Sequence, residues 1–300
     1  MKVHATRLIR KMRGAAQAHL LECDDGHFYV VKFRNNPQHK RTLVNEWIAS
    51  SLLAYLQIAT PEIALVNISA EFLGRCPDVH IQLATKRLAI EPGQHFGSRY
   101  PGKPNEVMVY DFLPDVLLEK APNRSEFLGA LVLDKWTGNA DARQAIFSRP
   151  GIERWHGGGR PRGFLASMID QGYAFGGPQW SFFDSPLQGL YWRPAVYRNV
   201  RSCDDFQPWI DRVVRFPEEV LENARSQIPR EWILGEEALL DALLKKLLSR
   251  CKRVPDLIAD SVHACVNPFP EWREPHAVSR QTFASWFQHP PVKVPESQQS

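Results

Sequence analysis

Cysteine is scarce in this chain of 300 residues, and the few present do not pair: Cys23, Cys76, Cys203, Cys251 and Cys265 are odd in number and widely separated. That excludes a disulfide framework or a zinc ribbon and fits reduced thiols in a cytoplasm. No apolar run reaches the length of a membrane span. Residues 1–13 carry Lys2, Arg7, Arg10, Lys11 and Arg13, but no apolar stretch of signal length follows them, so a cytoplasmic protein without a membrane segment is expected. Dense basic runs are missing as well. The formal net charge of +4 is spread along the chain, which favours an anionic ligand but makes direct nucleic-acid binding an unfavoured reading. There is no internal repeat, no G-x-G-x-x-G and no G-x-S-x-G. Without the last, His156-Gly157-Gly158-Gly159 reads as a hairpin connection and not as an esterase oxyanion hole.

What is present is a set of polar residues in apolar settings. Phe28-Tyr29-Val30-Val31-Lys32-Phe33 reads as a strand whose lysine falls inside an apolar run, a costly place for an ammonium group without a partner. Downstream, Glu46 sits in Leu43-Val44-Asn45-Glu46-Trp47-Ile48, where the apolar residues recur at helical spacing. A strand lysine paired with a helix glutamate is the phosphate clamp of kinases. Either residue alone would be read as a snorkelling lysine or a solvated helix glutamate. Two later loops support the pair. Gly138-Asn139-Ala140-Asp141-Ala142-Arg143-Gln144 follows an apolar helix, and Ile169-Asp170-Gln171-Gly172 follows an apolar strand. Phosphoryl transfer needs one carboxylate to orient the attacking hydroxyl, and an amide with a second carboxylate to hold the metal on the phosphates.

Asp134 and Asn139 stand at the spacing of a protein-kinase catalytic loop and are a decoy. Phe127, Leu128, Leu131 and Val132 continue one helical period through Asp134, and Gly138 is placed to end that helix as its C-terminal cap. Asn139 is left as a residue that orders the loop.

These segments, with His95-Phe96-Gly97-Ser98-Arg99-Tyr100, resemble the HipA-like kinases, in the smaller bacterial branch without the partner-binding region of the toxin HipA. The resemblance spans roughly residues 1–255. It implies an α+β, two-lobed protein-kinase-like fold with ATP and Mg²⁺ between a small β-rich lobe and a mostly helical one. By motif position it implies that Lys32 holds the ATP phosphates, Glu46 pairs with it, Asp141 is the catalytic acid and Asp170 binds metal. The family's metal-binding asparagine, five residues beyond the catalytic aspartate, is replaced here by Ile146. Gln144 takes that role if the loop is two residues shorter, since its amide oxygen suits magnesium.

The expected organisation is a β-rich lobe over 1–92, a hinge over 93–104, a helical lobe over 105–287 and a disordered tail over 288–300. Strands joined at Asp24-Asp25-Gly26 occupy 15–33, and further strands occupy 61–68 and 79–84. Gly14, in the small-residue stretch before the first of these, stands where a phosphate-covering loop would lie. Helices are expected over about 107–120, 125–137, 205–216, 217–227 and 236–250, the last with a leucine stripe read as core. The function that follows is an ATP- and Mg²⁺-dependent phosphotransferase acting on a serine or threonine of a protein. The alternatives are a small-molecule or lipid acceptor, a nucleotide-binding pseudokinase, and an accessory module for a DNA-binding partner.

Overall fold

A computed structural model describes residues 1–149 and 163–273. The hairpin connection read at 155–163 falls almost wholly outside those residues, and the tail read at 288–300 does so entirely. In chain order the elements of the first half are β1 (Lys2–Lys11), β2 (His19–Cys23), β3 (Phe28–Lys32), α1 (Arg41–Tyr55), β4 (Ile63–Ile68), α2 (Ala70–Arg75), β5 (His80–Leu83), β6 (Lys86–Ala89), β7 (Gly93–Arg99) and β8 (Val109–Tyr110). There follow α3 (Asp115–Leu118), α4 (Glu126–Thr137), β9 (Gln144–Ser148), β10 (Leu165–Ile169) and α5 (Pro194–Tyr197). The chain continues with α6 (Trp209–Val214), α7 (Glu218–Ser226), α8 (Arg230–Ile233), α9 (Glu237–Arg250) and α10 (Val254–Ala259).

Five strands close into a barrel in the order β1-β2-β3-β7-β4, with β1 and β4 parallel and the other pairs antiparallel. The turn joining β2 and β3 lies at the expected Asp24-Asp25-Gly26, where Gly26 takes a φ of 76° that suits glycine. Two strands of the barrel were not expected. In β1 the exposed Lys2 and His4 alternate with the buried Val3 and Ala5, and the basic side chains mask the period. The other is β7, which occupies the first part of the stretch read as hinge and lies between β3 and β4 at the centre of the lobe. Its glycines look like loop punctuation, yet a Cβ on Gly97 would stand 2.5 Å from Val66 Cγ2, so the residue serves close strand approach. The connection between lobes therefore begins after Arg99. Over 107–120, where a helix was expected, the chain forms only β8 and the single turn α3; Pro114 stands at the N-cap of that turn.

The helical lobe is organised on α4, whose Phe127, Leu131 and Trp136 are fully buried. Gly138 ends it in the left-handed conformation expected of the cap, at φ 59° and ψ 49°. In α9, Leu240, Leu243, Leu244 and Leu247 are core, whereas Leu239 is exposed. Helix α1 lies between the lobes. Its back is held by Trp47 Nε1, which donates to Ala224 O at 3.2 Å, and by the Arg41–Glu236 pair at 3.0 Å, while Arg34 reaches Glu231 at 2.9 Å from the barrel.

His95 on β7 is wholly buried, with Nδ1 accepting the Arg34 N–H at 3.0 Å and Nε2 donating to Glu91 O at 3.0 Å. That neutral tautomer is satisfied, and burial depresses the imidazole from 6.5 to about 4. The unfolded chain therefore takes up the proton first, so stability falls as pH drops from about 6.5 and the loss is complete below about pH 4. Urea unfolding of the protein should lose roughly 3 kcal/mol from this group across that window. A His95→Gln variant should lack that share of the acid sensitivity, and identical pH profiles for the two proteins would contradict the assignment.

Candidate active site

A cleft of about 400 Å³ opens between the barrel and the loops that follow α4 and β10. Its walls include Gly14, Lys32, Glu46, Asp141, Gln144 and Asp170, so the six residues given a site role in the sequence line one cavity. Two larger grooves, both reaching Trp47 of α1, hold none of them.

Lys32 ends β3 and points at α1 because β3 alternates and its other face fills the barrel core. Its Nζ pairs with Glu46 Oε1 and donates to Asp170 Oδ1 at 2.7 Å. Glu46 is 3% exposed. Burial would lower the lysine, but the two carboxylates outweigh it and hold the group above its ordinary value. Asp170 is also pushed up by burial, and Lys32 draws it below its usual range. Burial pushes Glu46 up, against the pull of Lys32. The cluster thus holds a fixed cation beside a charged aspartate at the cavity wall.

The loop over the cleft, residues 12–18, carries one glycine where a phosphate-covering loop ordinarily carries several. Gly14 adopts φ 115°, open only to glycine, with empty space where a Cβ would stand. The loop is pinned from its flank: Gln17 Nε2 donates to Gln82 O and Gln82 N donates to Gln17 Oε1, both at 2.7 Å, and Asn36 Nδ2 donates to Ala16 O at 2.5 Å.

Asp141 lies beyond the helix stop, on an exposed loop. Its Oδ1 accepts the Ala142 N–H at 2.8 Å, and its own N–H donates to Asn139 Oδ1 at 3.1 Å. Asn139 Nδ2 in turn donates to Asp134 Oδ1 at 2.9 Å, so the loop-ordering role read for Asn139 fits the geometry. Asp134 is fully buried in the last turn of α4, as its helical phase required, and bonds Arg143 through both carboxylate oxygens. Gln144 opens β9 opposite Ile169, and Ile146 lies on the same strand face; both line the cleft.

Three residues of this site were missed in the sequence. Arg143 and Gln171 connect the two acidic loops, and Asn45 ties α1 to the segment after Asp170. Asn45 Nδ2 faces the carbonyls of Gly172, Ala174 and Gly177 at 2.8, 3.0 and 3.1 Å, and Trp180 Nε1 donates to its Oδ1 at 2.8 Å. The available signal was an amide inside an apolar helix.

Residues 6–148 match the family model described as HipA-like kinase. The match bears out the HipA-like resemblance over that span and supports a kinase-type phosphotransferase, with the acceptor open. It includes Gly14, Lys32, Glu46, Asp141 and Gln144 and stops short of Asp170. No curated protein matches the chain. Among solved structures the chain is similar to the Golgi casein kinase, at TM-score 0.47 and 12% identity over 88% of this chain and 73% of that one. The Golgi casein kinase with Mn/ADP bound gives TM-score 0.47 and 13% identity over 87% and 72%. The Helicobacter pylori proinflammatory kinase CtkA gives TM-score 0.49 and 11% identity over 87% and 97%.

Proposed function

We propose that the chain transfers the γ-phosphoryl group of ATP to a serine or threonine hydroxyl of a protein, using Mg²⁺. The observation that carries this is the Lys32–Glu46–Asp170 cluster, set in one cleft with Asp141. Lys32 holds ATP phosphate oxygens, and Glu46 keeps its ammonium in place. The backbone around Gly14 covers the phosphates. Asp170 and Gln144 present hard oxygen donors to the cavity, the ligand type Mg²⁺ takes. When bound there, the ion would supply positive charge against the phosphates as the phosphoryl group moves. Asp141 orients the acceptor hydroxyl and receives its proton. The five cysteines are free thiols, as suits a reducing compartment, and the cytoplasm is the location we assign.

Purified protein incubated with labelled ATP and Mg²⁺ should show autophosphorylation or turnover on a protein acceptor. Transfer only to a lipid or a small-molecule hydroxyl would redirect the acceptor and leave the chemistry standing. A second reading, a nucleotide-binding pseudokinase, is favoured by one observation: Ile146 lines the cleft where the family pattern has its metal-binding asparagine. Binding of Mg-ATP without any turnover would decide for it.

The metal assignment makes its own prediction. Asp170→Asn should remove the magnesium-dependent part of ATP affinity, read by calorimetry with and without the ion. An unchanged difference between the two titrations would move the metal away from Asp170.

A further inference from the structure

Asp170 adopts φ 59°, a left-handed conformation that L side chains avoid, and it is the residue that meets Lys32. Such a backbone persists only where its neighbours over-determine it. Those neighbours are bound from three directions. Arg143 Nη1 donates to Ile169 O at 3.3 Å, just before Asp170, and to Gln171 Oε1 at 2.5 Å, just after it. The Ala174 N–H donates to Gln171 O at 3.0 Å. Asn45 Nδ2 donates to Gly172 O.

Arg143 is itself fixed. It follows Asp141 by two residues, is 4% exposed, and its Nε donates to Asp134 Oδ2 at 2.8 Å. One guanidinium therefore spans the end of α4, the loop bearing Asp141, and both flanks of Asp170. The planar fork of arginine permits this; a lysine has one nitrogen and cannot reach three partners in those directions. Gln171 is 1% exposed, and its Nε2 has no partner among the described residues, so Arg143 alone sets the side-chain amide.

From this geometry we infer that Arg143 is the positioning residue of the site, acting through Gln171 to hold Asp170 in its left-handed conformation and to fix the distance between the two acidic loops. Its consequence for catalysis rests on the phosphotransferase reading above; its consequence for the backbone does not. The inferred coupling runs from Asp134 in the helical core through Arg143 to Ile169 and Gln171 on either side of Asp170, and from the Asp170 carboxylate to Lys32 in the barrel.

Two variants test it. Arg143→Lys keeps a cation beside Asp134 and removes the fork. Gln171→Met removes only the amide, and deletes a buried unpaired donor along with the lost bond, so the fold is retained. Hydrogen exchange of the ligand-free proteins should be about tenfold faster at the amides of 171–174 in both variants, while α4 and the barrel keep their protection. Unchanged exchange at 171–174 would overturn the inference whatever the enzyme does. With Mg-ATP, both variants should lose affinity about tenfold in the magnesium-dependent part alone, and the double variant should lose no more than Arg143→Lys. Additive losses, or equal losses without magnesium, would mean that Arg143 is ordinary scaffold. A wild-type protein that binds no Mg-ATP would refute the functional reading and leave the exchange experiment to decide this one.

Discussion

Asp141→Asn should lower turnover by roughly 10²- to 10⁴-fold, the range for loss of a general base, while Mg-ATP binding is nearly unchanged. The substitution is well suited to the question because the asparagine Oδ1 still accepts the Ala142 N–H that the aspartate accepts at 2.8 Å. The loop keeps its shape through that bond and through Asn139, so what disappears is the carboxylate's capacity to take a proton. Asp141 contributes nothing to the Lys32 cluster, which is why nucleotide affinity should survive. Initial rates paired with calorimetric titration read the two quantities separately. An Asp141→Asn enzyme that turned over at the wild-type rate would refute the mechanism.

Asp134→Asn should act on folding and not on chemistry, at a cost of about 3–5 kcal/mol, the usual result of removing one member of a buried ion pair. Asp134 is fully buried and Arg143 is 4% exposed, so the guanidinium would be left without its counter-charge where no water can replace it. The helical period places Asp134 correctly inside α4. Position in a helix does not reveal the partner across the loop, and the partner decides the cost. Urea denaturation gives the stability, and turnover per folded molecule should stay far above that of Asp141→Asn. A loss under about 1 kcal/mol would mean that Arg143 has found another anion.

The parts of the site that were legible in the sequence were those whose chemistry conflicts with their local setting. A lysine within Val30-Val31-Lys32-Phe33 and a glutamate on the apolar helix α1 each demand an explanation, and they supply it for one another. Gly138 was legible because a helix stop has its own residue chemistry. What stayed hidden depends on contacts far apart in the chain. Arg143 and Gln171 are ordinary polar residues until the fold brings them together, and β7 was obscured because Gly97 is required by Val66 on a neighbouring strand. In β1, basic side chains on the outer face concealed a short inward alternation of Val3 and Ala5.

The way α1 is gripped bears on how the cleft can open. Trp47, Arg41 and Arg34 fasten the rear of the barrel and its helix to residues 224–236, so tilting one lobe away from the other would break these bonds together. The loop at 12–18, by contrast, is bonded to Asn36, just beyond β3, and to Gln82 on β5. The cleft is thus sewn along a seam at its rear, while the hem in front can lift by giving up the bonds of Gln17 and Ala16 without disturbing that seam.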